Sequence, residues 1–91
     1  MHLTGQLICK TEEEAAVVNC HLPRHIELTL GEPGCLFFQV TPTSDPLVWA
    51  VDERFENAQT FRAHQERVLN SEWGRATAGI QRRYSVHSLS D

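Results

Sequence analysis

The sequence predicts an α+β fold: a ferredoxin-like βαββαβ domain in which two helices cover one face of a four-stranded antiparallel sheet. Four segments alternate apolar and polar residues as strands do, and two longer segments place apolar residues every three or four positions. The segments follow in the order strand, helix, strand, strand, helix, strand, which is the ferredoxin-like order. The 91 residues contain no internal repeat and no low-complexity linker, so residues 1–91 are predicted to form a single domain.

The first strand is predicted over residues 2–9, HLTGQLIC. A helix should begin soon after it, because Thr11 with Glu14 three positions later has the form of a capping box. Three consecutive glutamates, residues 12–14, also complement the positive end of a helix dipole. The predicted buried stripe of this helix consists of Ala15, Val18, Leu22 and Ile26.

Pro23 conflicts with an uninterrupted first helix. A proline inside a helix lacks one hydrogen-bond donor and crowds the preceding turn, at a cost of about 3 kcal/mol. We therefore expect a kink or a break near residues 19–22. The turn-rich segment GEPG, residues 31–34, should end the helix.

Two strands joined by a short loop are predicted next. CLFFQVT, residues 35–41, and LVWAVDERF, residues 47–55, have the required apolar patterning. The loop is PTSDP, residues 42–46, because its two prolines and the Asp-Pro step cannot continue a strand.

Asn57 is placed to cap the second helix. One side of this helix is predicted to carry Ala58, Phe61, His64, Gln65 and Val68. A short turn or helical piece follows in NSEWGRATAG, residues 70–79, and QRRYSVHSL, residues 81–89, is the predicted fourth strand.

The composition excludes several classes of protein. Hydrophobic residues make up 41% of the chain and charged residues 22%, which is typical of a globular domain. A net charge of −4 argues against nucleic-acid binding. The longest apolar run, LVWAV, is too short to cross a membrane, and the first residues do not resemble a secretion signal. We expect a soluble cytoplasmic protein with three reduced cysteines, Cys9, Cys20 and Cys35.

Both faces of the central strands are apolar. In the third strand Leu47, Trp49, Val51 and Phe55 alternate with Val48 and Ala50, and in the second Leu36, Phe38 and Val40 alternate with Cys35 and Phe37. Two helices can cover only one face of a sheet. The other face is either a loosely covered surface or the contact with a second copy, and we favour a homodimer because apolar patches of this size usually mark interfaces.

Four segments together resemble the antibiotic biosynthesis monooxygenase domain family, which includes quinol monooxygenases. They are EPGCLFFQV at residues 32–40, ERF at 53–55, FRAHQ at 61–65 and NSEWGRAT at 70–77. The resemblance implies a dimeric α/β barrel formed by two ferredoxin-like subunits. It also implies oxidation of a quinol, anthrone or related small aromatic substrate by O₂ without a metal or other cofactor.

Haem-degrading relatives of the same fold use an Asn in the first strand and a Trp and a His near the second helix. This chain offers Gln6, His64 and Gly74 at those approximate places. Haem degradation is therefore disfavoured.

His64 is the predicted catalytic residue. Burial on an apolar helix face disfavours the charged imidazole, which leaves a neutral base able to accept a proton near pH 7. Cofactor-free oxygenation needs such a base to form a phenolate that can give an electron to O₂. The alternative is a structural core histidine satisfied by one hydrogen bond.

The predicted substrate-binding residues are Gln6, Phe55, Phe61 and Trp73. The three aromatic residues would line an apolar substrate pocket. The alternative is that they only belong to the hydrophobic core, as aromatic residues at such spacings commonly do. The resemblance also implies that some family members use a Trp or Tyr near the positions of Phe55 and Phe61. Gln6 would supply a neutral hydrogen bond if its face of the strand looks toward the helices.

The other polar residues are predicted to have structural roles and not to take part in catalysis or metal binding. His21 and His25 are four residues apart but flank Pro23, so a solvated helix face is favoured over a metal site, and His2 with His87 is likewise not expected to bind metal. Glu53 and Arg54 should each form an ion pair across the sheet or dimer. Arg82, Arg83 and Tyr84 are predicted to lie at the sheet edge and dimer contact.

Two functions remain open at this point. The first is a cofactor-independent monooxygenase acting on a phenolic compound. The second is a non-catalytic dimeric small-molecule-binding or accessory protein of the same fold, because a fold alone does not determine a function.

Overall fold

A computed structural model describes residues 1–87. The elements are β1 (His2–Ile8), α1 (Glu12–Leu30), β2 (Cys35–Pro42), β3 (Val48–Phe55), α2 (Ala58–Leu69), α3 (Glu72–Ala76) and β4 (Gln81–His87). The short helical piece predicted after α2 is α3. The last two residues predicted for the fourth strand, 88 and 89, lie outside the described residues.

The four strands form one antiparallel sheet in the order β2-β3-β1-β4. Gly5 at the centre of β1 faces Val51 of β3 on one side and Tyr84 of β4 on the other. This order and these helices confirm the predicted ferredoxin-like α+β fold.

Side-chain caps set the beginnings of α1 and α2. The Thr11 hydroxyl accepts a hydrogen bond from the backbone N–H of Glu14, as predicted, while the Glu14 carboxylate accepts one from the N–H of Lys10. On α2, Asn57 and Thr60 form a reciprocal capping box. Each cap satisfies N–H groups that have no partner inside the helix.

Of the kink or break predicted near residues 19–22, the break does not occur, because α1 runs from Glu12 to Leu30 with Pro23 inside it. Pro23 lies on the exposed side, and so does Asn19, whose carbonyl loses its usual partner. Water can therefore reach the unpaired carbonyl, while the packing of Val18 and Leu22 on the buried side holds the helix together.

The core lies between the helices and one face of the sheet. Sheet residues that point toward the helices include Leu3, Leu7, Phe38, Val40, Trp49, Val51 and Phe55, and they pack against Val18, Leu22, Phe61, Trp73 and Ile80. Leu36 does not join this face as predicted, because the register of β2 shifts between Cys35 and Phe37 and leaves Leu36 64% exposed.

The buried faces of the helices differ in part from the predicted ones. On α1 the buried residues are Val18, Leu22, His25 and Thr29, so two polar residues belong to the stripe and Ile26 is only half-buried. On α2 Phe61 and His64 are buried, whereas Ala58 and Gln65 are exposed.

Among residues 1–87, no helix packs against the other face of the sheet. Alternation along the strands places Ile8, Val48, Ala50 and Phe37 there. Polar residues share the same face, among them Thr4, Gln6, Asp52 and Arg54, so it is less apolar than predicted. Within residues 1–87, no helix combines the length and the hydropathy needed to cross a membrane.

Candidate functional site

A cluster of polar side chains lies between the helices and the sheet. Its members are His25 and Thr29 on α1, Glu32 in the following turn, Glu53 on β3, and His64 and Arg67 on α2. Polar groups are costly to bury unless they are paired. The pairing within this cluster therefore decides what each group can do.

His64 is the centre of the cluster. Its ring is 6% exposed and packs against Phe55, with 4.9 Å between the ring centroids. Nδ1 lies 2.7 Å from Glu32 Oε1, and we assign the proton to Nδ1 because a carboxylate only accepts. Nε2 lies 3.6 Å from Glu53 Oε1, which is beyond a normal hydrogen bond. The imidazole is thus fixed at one nitrogen and retains an acceptor at the other.

Arg67 fixes the carboxylate that holds His64. Its Nε donates to Glu32 Oε2, and its Nη2 donates to Thr29 Oγ1 at 3.0 Å. Glu32 therefore joins an arginine and a histidine of the same helix, three residues apart. The orientation of the imidazole depends on this arrangement in the way that metal-free catalytic histidines depend on a carboxylate partner.

Burial changes the protonation of the two groups that face each other across 3.6 Å. It lowers the pKa of His64, although the hydrogen bond and the charge of Glu32 act in the opposite direction. Burial also raises the pKa of Glu53 to about 7, and the nearby Glu32 carboxylate adds to the rise. Near neutral pH His64 is a neutral base and Glu53 is close to half protonated.

Within residues 1–87, neither Glu53 nor Arg54 forms the ion pair predicted across the sheet. Glu53 points toward the helices because it shares the parity of Val51 and Phe55, and it is 6% exposed. Arg54 lies on the opposite face, where its Nε is 3.7 Å from Asp52 of the same strand.

His25 is buried, so the prediction of a solvated helix face is wrong for this residue. Its ring stacks on Trp73 with 4.5 Å between centroids and an interplanar angle of 3°, and it meets the ring of Phe38 edge-on. Burial lowers the pKa of His25 to about 3, with further lowering from His64 and two arginines. Among the described residues, its Nδ1 is the buried side-chain nitrogen that has no hydrogen-bond partner.

Two clefts reach this cluster from different sides. A cleft of about 370 Å³, here called the turn cleft, is lined by Glu32, His64 and Arg67 together with Pro33, Gln59, Thr60 and Ala63. A second cleft of about 250 Å³, here called the arginine cleft, lies between α1 and α3 and is lined in part by His25, Arg67 and Trp73. The turn cleft therefore places open space beside His64 between the 31–34 turn and α2.

The structure brings three of the four predicted substrate-binding residues near His64. Phe55 and Phe61 are in contact, with 5.7 Å between their centroids, and Phe55 lies against the histidine ring. Trp73 is linked to His64 through His25, whose ring centroid is 6.0 Å from that of His64. Gln6 is exposed on the open face of the sheet, so it cannot supply the predicted hydrogen bond.

Sequence reasoning missed Glu32, Glu53 and Arg67. The signal for Glu53 was present, because it has the same parity in β3 as Val51 and Phe55, which face the helices. Arg67 follows His64 by one helical turn, which places both on one side of α2. Nothing in the turn sequence indicates that Glu32 would reach a histidine 32 positions away.

The remaining polar candidates have structural contacts. His2 Nε2 lies 2.8 Å from Asp52 Oδ1 on the neighbouring strand. Arg82 donates to the backbone and hydroxyl oxygens of Thr77 and so fastens the turn before β4. Tyr84 covers Gly5, where an added Cβ would lie 2.7 Å from its ring. Within residues 1–87, no group of three or more His, Cys, Asp or Glu side chains is placed to hold a metal ion.

Comparisons with known proteins agree with the fold. The family model described as antibiotic biosynthesis monooxygenase matches residues 5–74. The chain is similar in structure to a proposed antibiotic biosynthesis monooxygenase from Nitrosomonas europaea, with a TM-score of 0.80, 18% identity, and 99% of this chain and 100% of that chain covered. A proposed family member from Deinococcus radiodurans gives a TM-score of 0.68 at 20% identity, covering 100% of this chain and 96% of that chain. No curated protein matches significantly.

Proposed function

Because the chain belongs to the antibiotic biosynthesis monooxygenase family, we propose that it is a cofactor-independent monooxygenase that oxidises a quinol, anthrone or related phenolic compound with O₂. The observation that carries this proposal is the state of His64. A buried neutral imidazole is held at Nδ1 by a carboxylate, and its Nε2 has no hydrogen bond to any of residues 1–87. This is the arrangement that a general base requires.

The first chemical step is removal of a proton from the substrate. His64 Nε2 accepts the proton of a phenol or of an activated ring carbon, and the Glu32 carboxylate stabilises the imidazolium that forms. The substrate anion is electron-rich and transfers one electron to O₂. The resulting superoxide and substrate radical then combine, and the new C–O bond gives a peroxide at the ring carbon.

The peroxide completes the reaction without an added reductant. Loss of the hydrogen that remains on this carbon breaks the O–O bond, so that the carbon becomes a carbonyl and the outer oxygen leaves as water. The proton removed in the first step and the hydrogen lost from this carbon account for the water, and O₂ accepts the four electrons released. For an anthrone the product is the quinone.

Glu53 is the proposed acceptor of the proton that His64 takes from the substrate. The two groups are 3.6 Å apart, so a shift of about half an ångström would bring them within hydrogen-bond distance. With a pKa of about 7, Glu53 can accept a proton from the imidazolium and later release it. We therefore expect turnover to rise with pH through about 7, since an already protonated Glu53 cannot take the proton.

The turn cleft, which His64 helps to line, is the proposed entrance for the substrate. Nε2 faces Glu53, which does not line this cleft, so the substrate would have to pass the imidazole ring to reach Nε2. The cleft volume of about 370 Å³ falls in the range of about 300 to 1,000 Å³ common for small-molecule pockets. Phe55 and Phe61 lie behind His64 in the core and would position the base, while Pro33 and Ala63 supply apolar surface at the cleft.

A homodimer is part of the proposal. Ile8, Val48, Ala50 and Phe37 lie on the sheet face that has no helix against it. A second copy packed against this face would remove these side chains from water. Light scattering should give about twice the 10.3 kDa chain mass, and a stable monomer at micromolar concentration would contradict the dimer.

The decisive experiment is oxygen uptake by the purified protein with a panel of hydroquinones and anthrones, using the parent chain and His64→Gln. Gln can keep a hydrogen bond to Glu32 but cannot act as a base. We expect turnover to fall by about 10² to 10⁴, with the melting temperature nearly unchanged. Gln59→Ala, a small exposed change in the same cleft, is the control for altered substrate binding.

The alternative is a non-catalytic small-molecule-binding or accessory protein. It is favoured by the 6% exposure of His64, which is what a satisfied core histidine shows. The same experiment separates the two functions. If no member of the panel is oxidised, or if His64→Gln retains full specific activity, the monooxygenase proposal fails and the binding function becomes the better account.

A further inference from the structure

The arginine cleft concentrates basic side chains from three helices. Arg24 of α1, Arg67 of α2 and Arg75 of α3 all line it. The chain has eight basic residues against twelve acidic ones, so three of the eight meeting at one cleft is not expected from the composition. Glu72 is the acidic residue on its lining.

Some of the arginine donors already have partners. Arg24 pairs with Glu27 at the surface, Arg67 uses two nitrogens on Glu32 and Thr29, and Arg75 Nη1 donates to the carbonyl of Asn70. Among the described residues, no hydrogen bond uses Arg67 Nη1 or the Nε and Nη2 of Arg75. These donors can bind an anion without breaking an existing contact, and guanidinium groups match the planar geometry of a carboxylate.

The cleft is also lined in part by aromatic and aliphatic side chains. Trp73 and His25 form a parallel stack on its lining, and Leu28, 37% exposed, adds an aliphatic contact. A ligand with an unsaturated ring would bury apolar surface there while its anionic end meets the arginines. The volume of about 250 Å³ limits the ligand to about one ring, since pockets for larger molecules usually exceed about 300 Å³.

His25 provides evidence for a ligand that does not depend on the arginines. It is 4% exposed, it lines the cleft, and its Nδ1 has no partner. A buried polar atom without a partner is uncommon and costly in a folded protein. Two of the groups that act electrostatically on His25 are the arginines Arg67 and Arg82, and both favour a bound anion.

We propose that the arginine cleft is a binding site for a small aromatic carboxylate, separate from the turn cleft. The carboxylate would take the unused donors of Arg67 and Arg75, and the ring would lie beside the Trp73 and His25 stack. This site does not depend on the proposed oxygenation, because its test measures binding in the absence of turnover.

The test is an NMR titration of the whole chain with benzoate at constant ionic strength. We expect saturable shifts of the Trp73 indole N–H and the His25 ring signals, with a dissociation constant of about 1 mM or below. The Trp49 indole, which does not line the cleft, is an internal reference. Acetate should bind at least about tenfold more weakly, because it lacks the ring.

Two matched variants decide the role of the arginines. Arg75→Gln should weaken benzoate binding by about tenfold, whereas Arg62→Gln, an exposed arginine of α2 outside the cleft, should leave it unchanged. The proposal is overturned if the shifts do not saturate, if both variants weaken binding equally, or if inorganic phosphate binds as tightly as benzoate. A change in melting temperature of each variant, measured alongside, would reveal misfolding, and in that case Arg75→Lys replaces Arg75→Gln with the same expected weakening.

Discussion

Replacing Glu53 with Gln should stabilise the protein at alkaline pH and have little effect at acid pH. The side chain is 6% exposed and faces His64 inside the domain. Gln has nearly the same shape and stays neutral, so Glu53→Gln removes the ability to carry a negative charge and little else. The variant therefore measures what the buried charge costs.

The raised pKa of Glu53 determines whether Glu53→Gln stabilises or destabilises the protein at each pH. Burial raises the pKa of Glu53 from 4.5 to about 7, so between these values the folded protein holds a proton that the unfolded chain has released. The free energy of unfolding of the parent chain therefore falls as the pH rises through this window. The size of the pKa change corresponds to about 3 kcal/mol. Above pH 7 the free energy of unfolding of the parent chain is lowered by the full cost of the buried Glu53 charge. Glu53→Gln has no such charge and does not lose this stability.

Urea unfolding at about pH 4.5, 6 and 8, at one fixed protein concentration, measures this difference. We expect Glu53→Gln to gain about 3 kcal/mol over the parent at the highest pH and almost nothing at the lowest. Glu56→Gln, an exposed change three residues along the chain, should show no such trend.

The folded pKa can also be read directly from the ¹³C shift of the Glu53 carboxyl group. This matters because His64 is close enough for the two titrations to interact. A midpoint below about 5, or a loss of stability in Glu53→Gln at high pH, would show that the ionised carboxylate is stabilised where it lies. The proton-accepting role of Glu53 would then be refuted as well.

Two further substitutions test features of α1. His25→Phe should raise the free energy of unfolding by about 1 kcal/mol, because it keeps a ring against Trp73 and removes a buried nitrogen without a partner. A loss of stability in urea unfolding would show that this nitrogen is satisfied in solution. Pro23→Ala should raise the melting temperature, since it restores the N–H that bonds the Asn19 carbonyl, with a gain of up to about 3 kcal/mol. An unchanged melting temperature would show that water already satisfies this carbonyl.

The fold could be predicted from the sequence because its signals are local. The caps at Thr11 and Asn57 fix where the helices begin, and alternation in β3 separates its two faces. The register of β2 could not be predicted in the same way. The shift near Leu36 depends on how β2 pairs with β3, which is a non-local contact.

The site was only partly predictable because polar residues occupy core positions. On α1 the buried residues Val18, Leu22, His25 and Thr29 follow each other at spacings of four, three and four, which is a regular helix stripe. A prediction of the buried stripe that counts only apolar residues selects Ile26 in place of its neighbour His25. On α2 His64 was found because its neighbours on the stripe are apolar, whereas Glu32 reaches the site from a turn.

Different protonation states keep the charge inside the cluster low. His25, with a pKa of about 3, stays neutral at any physiological pH, and burial favours the neutral form of His64. The carboxylate of Glu32 is matched by Arg67. Glu53 is the member whose charge changes near pH 7. In the proposed reaction, a proton taken from a substrate by His64 would therefore be held at lowest cost on Glu53, because moving it there would discharge the imidazolium and neutralise a buried carboxylate in one transfer.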